Sequence, residues 1–275
     1  MLSARVVTVS ALIGLAVVLA APRLGAVVDG DPADIREYPW TVALVEPGQA
    51  PINGQFCGGS LIAADWVLTA AHCVSGNRGR VFAPERVDVL LGRADLDRRG
   101  GQRVHVIDVQ IHPDRVDPDL DIDIALIRLA RPVDVLPVFL PDGSAPTLAP
   151  GTEARVLGWG VTRRGNDRQV DRGYSSEELL VTSVPIIEDR MCERATDADA
   201  IGARGFELCA GGMTARGGDS CLGDSGGPLV VAIRFGFVQV GVVAWSAKGC
   251  GLKHNPGVYT RVTSALEWIH ATIGS

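Results

Sequence analysis

Residues 219–228 read Asp219-Ser220-Cys221-Leu222-Gly223-Asp224-Ser225-Gly226-Gly227-Pro228, a serine set among glycines with an aspartate directly before it. Glycines on both sides let the backbone turn sharply and aim amide N–H groups at one point in space. A serine hydroxyl is a poor nucleophile at neutral pH, so it needs a neutral imidazole to take its proton and a carboxylate to hold that imidazole in the right tautomer. Both partners exist upstream: His72 in Thr69-Ala70-Ala71-His72-Cys73 and Asp123 in Asp123-Ile124-Ala125-Leu126-Ile127. This is an inventory for nucleophilic acyl transfer, with the Gly223 and Ser225 amides as donors to a developing oxyanion. Taken singly, a serine between glycines is a loop and a histidine after two alanines is a packed residue. The three stretches together, in the order His72, Asp123, Ser225, carry the reading.

These stretches resemble the chymotrypsin/trypsin family of serine proteases, whose chain order is also the one found here. The resemblance runs over residues 27–273 and is similar to that of secreted bacterial trypsins. It implies an all-β fold of two six-stranded antiparallel β-barrels with a C-terminal α-helix, and a triad of His72, Asp123 and Ser225 in the cleft between the barrels. It further implies an endopeptidase working through an acyl-enzyme on protein and peptide substrates. No cofactor or metal is expected, protein protease inhibitors are expected partners, and the expected state is a monomer. Asp219, six residues before the serine, would lie at the base of the pocket for the side chain preceding the scissile bond. A carboxylate there selects Arg or Lys, because the long apolar stem fills the walls while the charge meets its partner. Ser220, Trp245, Ser246 and Gly257 would complete the substrate-binding surface.

The resemblance also implies a zymogen. Val27-Val28-Asp29-Gly30 resembles the family's new N-terminus, whose freed amino group pairs with the acid before the serine, here Asp224. Six cysteines in an exported chain suggest three disulfides, for which the sequence alone allows about 15 pairings. The family pattern selects Cys57–Cys73, Cys192–Cys209 and Cys221–Cys250, each contributing roughly 3 kcal/mol in a chain-entropy model. A metal site is the alternative use of cysteine, but no Cys-x-x-Cys pair exists.

Several positions depart from the family pattern. Asp29 replaces a glycine, and Ala26 rather than Arg or Lys precedes Val27, so the enzyme is not expected to activate itself. A cut after Arg23 would leave three extra residues, a reach of about 10 Å too long. Ala244 stands where a serine helps solvate the triad aspartate, so Asp123 is expected to rely on His72 and backbone N–H groups. Ser246 replaces a glycine at the pocket rim and is expected to narrow it. Pro256 implies no sodium effect. The Arg93–Gly101 loop occupies the place of a calcium site in animal relatives, but its interleaved arginines read as a solvated loop.

The chain of 275 residues, 47% hydrophobic, is long enough for one large or two modest cores. Its N-terminus carries Arg5 and then an apolar run from Val6 to Ala21, about 16 residues against the roughly 20 needed for a span. It reads as a signal peptide, 1–20, followed by a short propeptide, 21–26, and a peptidase domain, 27–275. Alternatives are a membrane anchor, and signal-peptidase cleavage after Ala26. The mature protein is expected to be secreted, extracellular and free of the membrane. Net charge is −6, which disfavours nucleic-acid binding.

Short apolar stretches punctuated by Pro and Gly predict antiparallel strands at 38–44, 57–62, 66–68, 87–91 and 104–109. Five prolines between 132 and 150 mark a linker. This divides the domain into a first barrel at about 27–135 and a second at about 151–262. Val156-Leu157-Gly158-Trp159-Gly160 is a further family match at the start of the second. The charged loop 163–178 is expected to be mobile and open to self-cleavage. Ser264-Ala265-Leu266-Glu267 reads as a capping box opening a helix over 264–273. His105, His112, His254 and His270 fall in a strand, a turn, a loop and the terminal helix. Two rival readings remain: a protease-like binding protein, which a serine-directed label on Ser225 would exclude, and a protease for small or apolar residues, motivated by Ser246.

Overall fold

The structure, a computed structural model, describes residues 27–76, 79–116, 122–142, 148–166, 173, 175–196, 205–212 and 218–274. The expected signal peptide 1–20 and propeptide 21–26, and residues 167–172 and 174 of the charged loop 163–178, lie outside the described residues.

Among the described residues thirteen strands carry the fold. β1 is Asp31–Pro32, β2 Thr41–Val45, β3 Gln55–Ala63, β4 Trp66–Thr69, β5 Asp88–Leu91, β6 Gln102–Ile111 and β7 Ala125–Leu129. β8 is Glu153–Gly158, β9 Leu180–Ile187, β10 Glu207–Ala210, β11 Pro228–Ile233, β12 Gly236–Ser246 and β13 Gly257–Arg261. Short helices punctuate them: α1 Pro51–Gly54, α2 Ala71–Val74, α3 Asp189–Thr196 and α4 Leu266–Ile273.

Strands β2 to β7 close into one antiparallel barrel in the order β2-β3-β4-β7-β6-β5. β8 to β13 form a second, running β9-β10-β13-β12-β11-β8 and closed by the β8–β9 pairing, with the two-residue β1 added on the outer edge of β9. Closure removes the unpaired strand edges that an open sheet would leave to associate. The chain is therefore two six-stranded antiparallel barrels, as the resemblance implies. Their interiors are filled by alternate aliphatic residues, including Leu44, Leu61, Val67 and Ile127 in the first and Val156, Leu229 and Val240 in the second.

Three details differ from the sequence reading. Residues 27–32 belong to the second barrel: Val28 bridges Asp219 and β1 pairs with β9, so the first barrel starts later than residue 27. The stretch Tyr38-Pro39-Trp40 is turn, and its strand begins only at Thr41, because a proline between two rings packed against Phe237 cannot donate to a ladder. The capping box does not form. Residues Val262–Ser264 make a 3-10 turn, Ser264 Oγ donates back to Arg261 O at 2.6 Å, and α4 starts at Leu266 with Ala265 as its cap. An uncapped start is tolerated because α4 is held by packing: Ile269 is fully buried, and Trp268 meets the His112 ring edge-on at 5.1 Å on the first barrel.

The seam between barrels is narrow at the serine. Gly58 N–H donates to Ser225 O at 2.8 Å, and a Cβ on Gly58 would sit 3.1 Å from Gly227 Cα. Gly226 has φ +79°, and a Cβ there would lie 2.7 Å from Gly58 O. Buried Ser60 and Gln239 join the barrels by a side-chain hydrogen bond of 2.5 Å. Gly226→Ala is therefore expected to lower stability by about 1–3 kcal/mol, through a strained φ and a displaced seam, read as a drop in denaturant midpoint. An unchanged midpoint would show that the seam has slack.

Candidate active site

His72 sits in the one-turn helix α2, directly after β4, and Asp123 lies just before β7, the strand paired with β4. That pairing carries the two side chains to the same end of the first barrel. Asp123 Oδ2 is 2.6 Å from His72 Nδ1, and Oδ1 accepts the His72 backbone N–H at 2.9 Å. Thr260 Oγ1 of β13 donates to the Asp123 carbonyl at 3.2 Å, tying this loop to the second barrel. Burial works to raise the Asp123 carboxyl, yet the His72 hydrogen bonds and the charge of Arg115 hold it below the usual carboxylate range. Arg115 Nε lies 3.4 Å from Asp123 Oδ1. So Asp123 does not depend on His72 and backbone amides alone, contrary to the sequence reading. In the sequence Arg115 looks like any arginine in a proline-led turn.

Ser225 and Gly223 face His72 across a cavity of about 900 Å³, whose lining also includes the Cys57–Cys73 disulfide, Phe56 and Phe82. Among the described residues neither the Gly223 nor the Ser225 amide donates a hydrogen bond to the protein. The loop holding them is fixed from both sides. Asp224, fully buried, accepts Gly160 N–H at Oδ1 (2.8 Å) and Cys221 N–H at Oδ2 (2.9 Å). Burial pushes its carboxyl up to about 7. From the first barrel, buried Gln55 Nε2 donates to Gly223 O at 2.8 Å and to Cys57 O at 3.1 Å. Gln55 is a second residue the sequence reading passed over, because Gly223, the partner that matters, lies 168 positions along the chain.

Asp219 is fully buried beside this loop. Its Oδ2 accepts Gly251 N–H at 2.8 Å, and among the described residues Oδ1 has no hydrogen-bond partner. Burial pushes this carboxyl up to about 7 as well. A Cβ on Gly257 would come within 2.9 Å of Oδ1, so only glycine leaves that oxygen open. Ser220 Oγ lies 3.4 Å from the Tyr259 hydroxyl, behind Asp219. Trp245 is exposed and donates its indole N–H to Glu207 at 2.9 Å. Ser246 Oγ turns to its own loop, donating to Gly249 O at 2.9 Å. Val27 is fully buried in the second barrel.

The remaining disulfides join Cys192 to Cys209 and Cys221 to Cys250, and no cysteine is free. Among the described residues the one grouping of metal-ligating atoms is Cys57, His72 and Cys73, and its two sulfurs are bonded to each other. In the 93–101 loop, Asp95 pairs with Arg98 and Arg93 donates to Gly100 O. Among the described residues no helix is long and apolar enough to cross a membrane.

Residues 27–269 match the family model described as Trypsin. A trypsin from Saccharopolyspora erythraea is 36% identical over 86% of this chain and 93% of its own length. A tryptase from Mus musculus is 38% identical over 89% of this chain and 87% of its own.

Removing the Gln55 amide would leave the buried Gly223 carbonyl without that donor and loosen the loop. Gln55→Ala is expected to lower kcat on a chromogenic ester about tenfold while changing KM less. A variant altered in KM alone would mean Gln55 serves binding and not the loop.

Proposed function

The chain belongs to the trypsin family of serine proteases and is a trypsin-like serine endopeptidase; from that premise we propose that it is exported, activated by freeing Val27, and cleaves peptide bonds after Arg or Lys. The observation that carries the specificity is Asp219, a fully buried carboxylate whose Oδ1 lacks a hydrogen-bond partner among the described residues and faces the space kept open by Gly257. A buried anion in that state is costly, and a guanidinium or ammonium entering the pocket supplies the missing partner. An uncharged side chain would leave it unpaired. The wedge expected from Ser246 has no support in its geometry, since its hydroxyl bonds its own loop.

In the proposed mechanism Ser225 Oγ attacks the carbonyl carbon and His72 Nε2 takes its proton. Asp123, accepting from His72 Nδ1–H, fixes that tautomer and stabilises the imidazolium. The unengaged Gly223 and Ser225 amides receive the oxyanion. His72 then protonates the leaving amine, and water repeats the sequence to release the acid.

Asp224 supports the zymogen reading. Its carboxylate is held by two amides, and the described residues offer it no cation. A free Val27 ammonium would pair with it; in the precursor that nitrogen is an amide. Because burial raises the Asp224 carboxyl to about 7, the folded precursor prefers the protonated acid. Ionisation therefore costs stability as pH rises from about 4 towards 7. Asp224→Asn is expected to raise the melting temperature of the unprocessed chain at pH 8 but not at pH 4, and to give an inactive processed protein. Equal effects at both pH values would remove this account.

The deciding experiment compares a protein beginning at Val27 with its Asp219→Ser variant on an arginine anilide. The parent is expected to cleave it, and the variant to lose most of that activity. A parent that cleaves alanine or phenylalanine esters in preference would overturn the Arg/Lys assignment. Absence of labelling at Ser225 by a serine-directed phosphonate would favour the binding-protein rival.

A further inference from the structure

Asp29 and Arg164 are not part of the reacting constellation, yet they converge on Asp219. Val28 and Asp219 exchange two backbone hydrogen bonds, Val28 N–H to Asp219 O at 3.0 Å and Asp219 N–H to Val28 O at 3.3 Å. The next residue, Asp29, has φ 59°, a conformation Asp tolerates better than most, and meets the Arg164 guanidinium as an ion pair. The other end of that guanidinium, Nη1, donates to Gly251 O at 3.3 Å. Gly251 is the residue whose own N–H holds Asp219 Oδ2 at 2.8 Å.

The junction has no spare room. Gly251 has φ +64°, and a Cβ there would lie 2.5 Å from Val28 Cγ1 and 2.9 Å from Arg164 Cγ. Gly165, next to Arg164, and Cys250, next to Gly251, exchange hydrogen bonds of 3.1 and 3.0 Å. The planar fork of the guanidinium thus bridges a carboxylate and a carbonyl at fixed separation, a geometry that a lysine ammonium reproduces only in charge.

We propose that Arg164, anchored by Asp29, is a positioning residue for the Asp219 carboxylate, so that the segment following Val27 sets how strongly the primary pocket takes a cationic side chain. The proposal rests on Asp219 being the selecting acid. Arg164 acts in two ways: it fixes Gly251, and its positive charge favours ionised Asp219. The groups around Asp219 divide clearly. Burial and the charge of Asp224, from the loop before β11, oppose ionisation, while the Gly251 and Ser220 amides and Arg164 favour it. Tyr259, from β13, stands behind Ser220 with its hydroxyl pushed towards the neutral form by burial and by Asp219 and Asp224. Without Arg164 a larger fraction of Asp219 is protonated at pH 7, and the fraction recovers as pH rises.

The test uses enzyme recovered after export and processing of the full chain, with an arginine ester and a neutral amino-acid ester as paired probes. Their kcat/KM ratio cancels changes in the reacting groups. Arg164→Met is expected to lower the arginine-to-neutral ratio about fivefold at pH 7 and less at pH 9, with the loss appearing in KM for the arginine ester. Arg164→Lys is expected to restore part of the charge-dependent loss, and Asp29→Asn to produce a smaller loss of the same kind. A ratio unchanged in Arg164→Met, or a loss independent of pH and equal for both esters, overturns the proposal. If Asp219→Ser leaves the ratio intact, Asp219 is not the selecting acid, and both this proposal and the Arg/Lys reading fall. If Asp219→Ser abolishes the preference while Arg164→Met does not alter it, only the positioning role falls.

Discussion

The Gly58 N–H to Ser225 carbonyl hydrogen bond, 2.8 Å long across the seam of two barrels, is the constraint on which the rest of the site depends. His72 and Asp123 belong to the first barrel, while Ser225, Gly223 and Asp219 belong to the second. In the proposed mechanism the nucleophile Ser225 and its base His72 therefore come from different barrels. Barrels are rigid because every strand is paired on both sides, so the relative placement of their loops is set at this contact and at the buried Ser60–Gln239 bond. Glycines at 58, 226 and 227 let the two backbones approach closely enough for side chains from each to meet.

Around that seam the structure accumulates buried acids, and each is treated differently. Asp123 is surrounded by His72 and Arg115 and is held ionised. Asp219 and Asp224 are deeper, have only amide donors close by, and are both raised to about 7. An acid of the first kind suits a permanent electrostatic role. The second kind gains most when a cation arrives, which in the proposed reading is the substrate side chain for Asp219 and the Val27 ammonium for Asp224. The Asp29–Arg164–Gly251 chain reaches Asp219 from the segment that follows Val27.

Much of this was legible in one dimension. Motifs of a few residues, Ala71-His72-Cys73 and Gly223-Asp224-Ser225-Gly226-Gly227, mark the site because their function needs particular residue types at adjacent positions, where backbone geometry alone fixes their relation. Strand β6 was legible for a similar reason, since alternation of apolar residues is a local consequence of the pleat, whereas β3 was marked by a short apolar stretch punctuated by glycine. The helix start at Leu266 was not, since the Ser264 hydroxyl found a carbonyl in its own turn while distant packing of Ile269 and Trp268 held the helix.

The sequence by itself determined the family, the two-barrel fold that goes with it, and the residues that could serve as nucleophile, base and acid, because those requirements are short-range and chemically strict. Only the tertiary structure decided who stands beside them: Arg115 against Asp123, Gln55 under Gly223, and Arg164 between Asp29 and Gly251. These partners are joined by charge and hydrogen bonding across loops whose sequence separation carries no signal, and such interactions depend on distance in space, which only the folded chain defines.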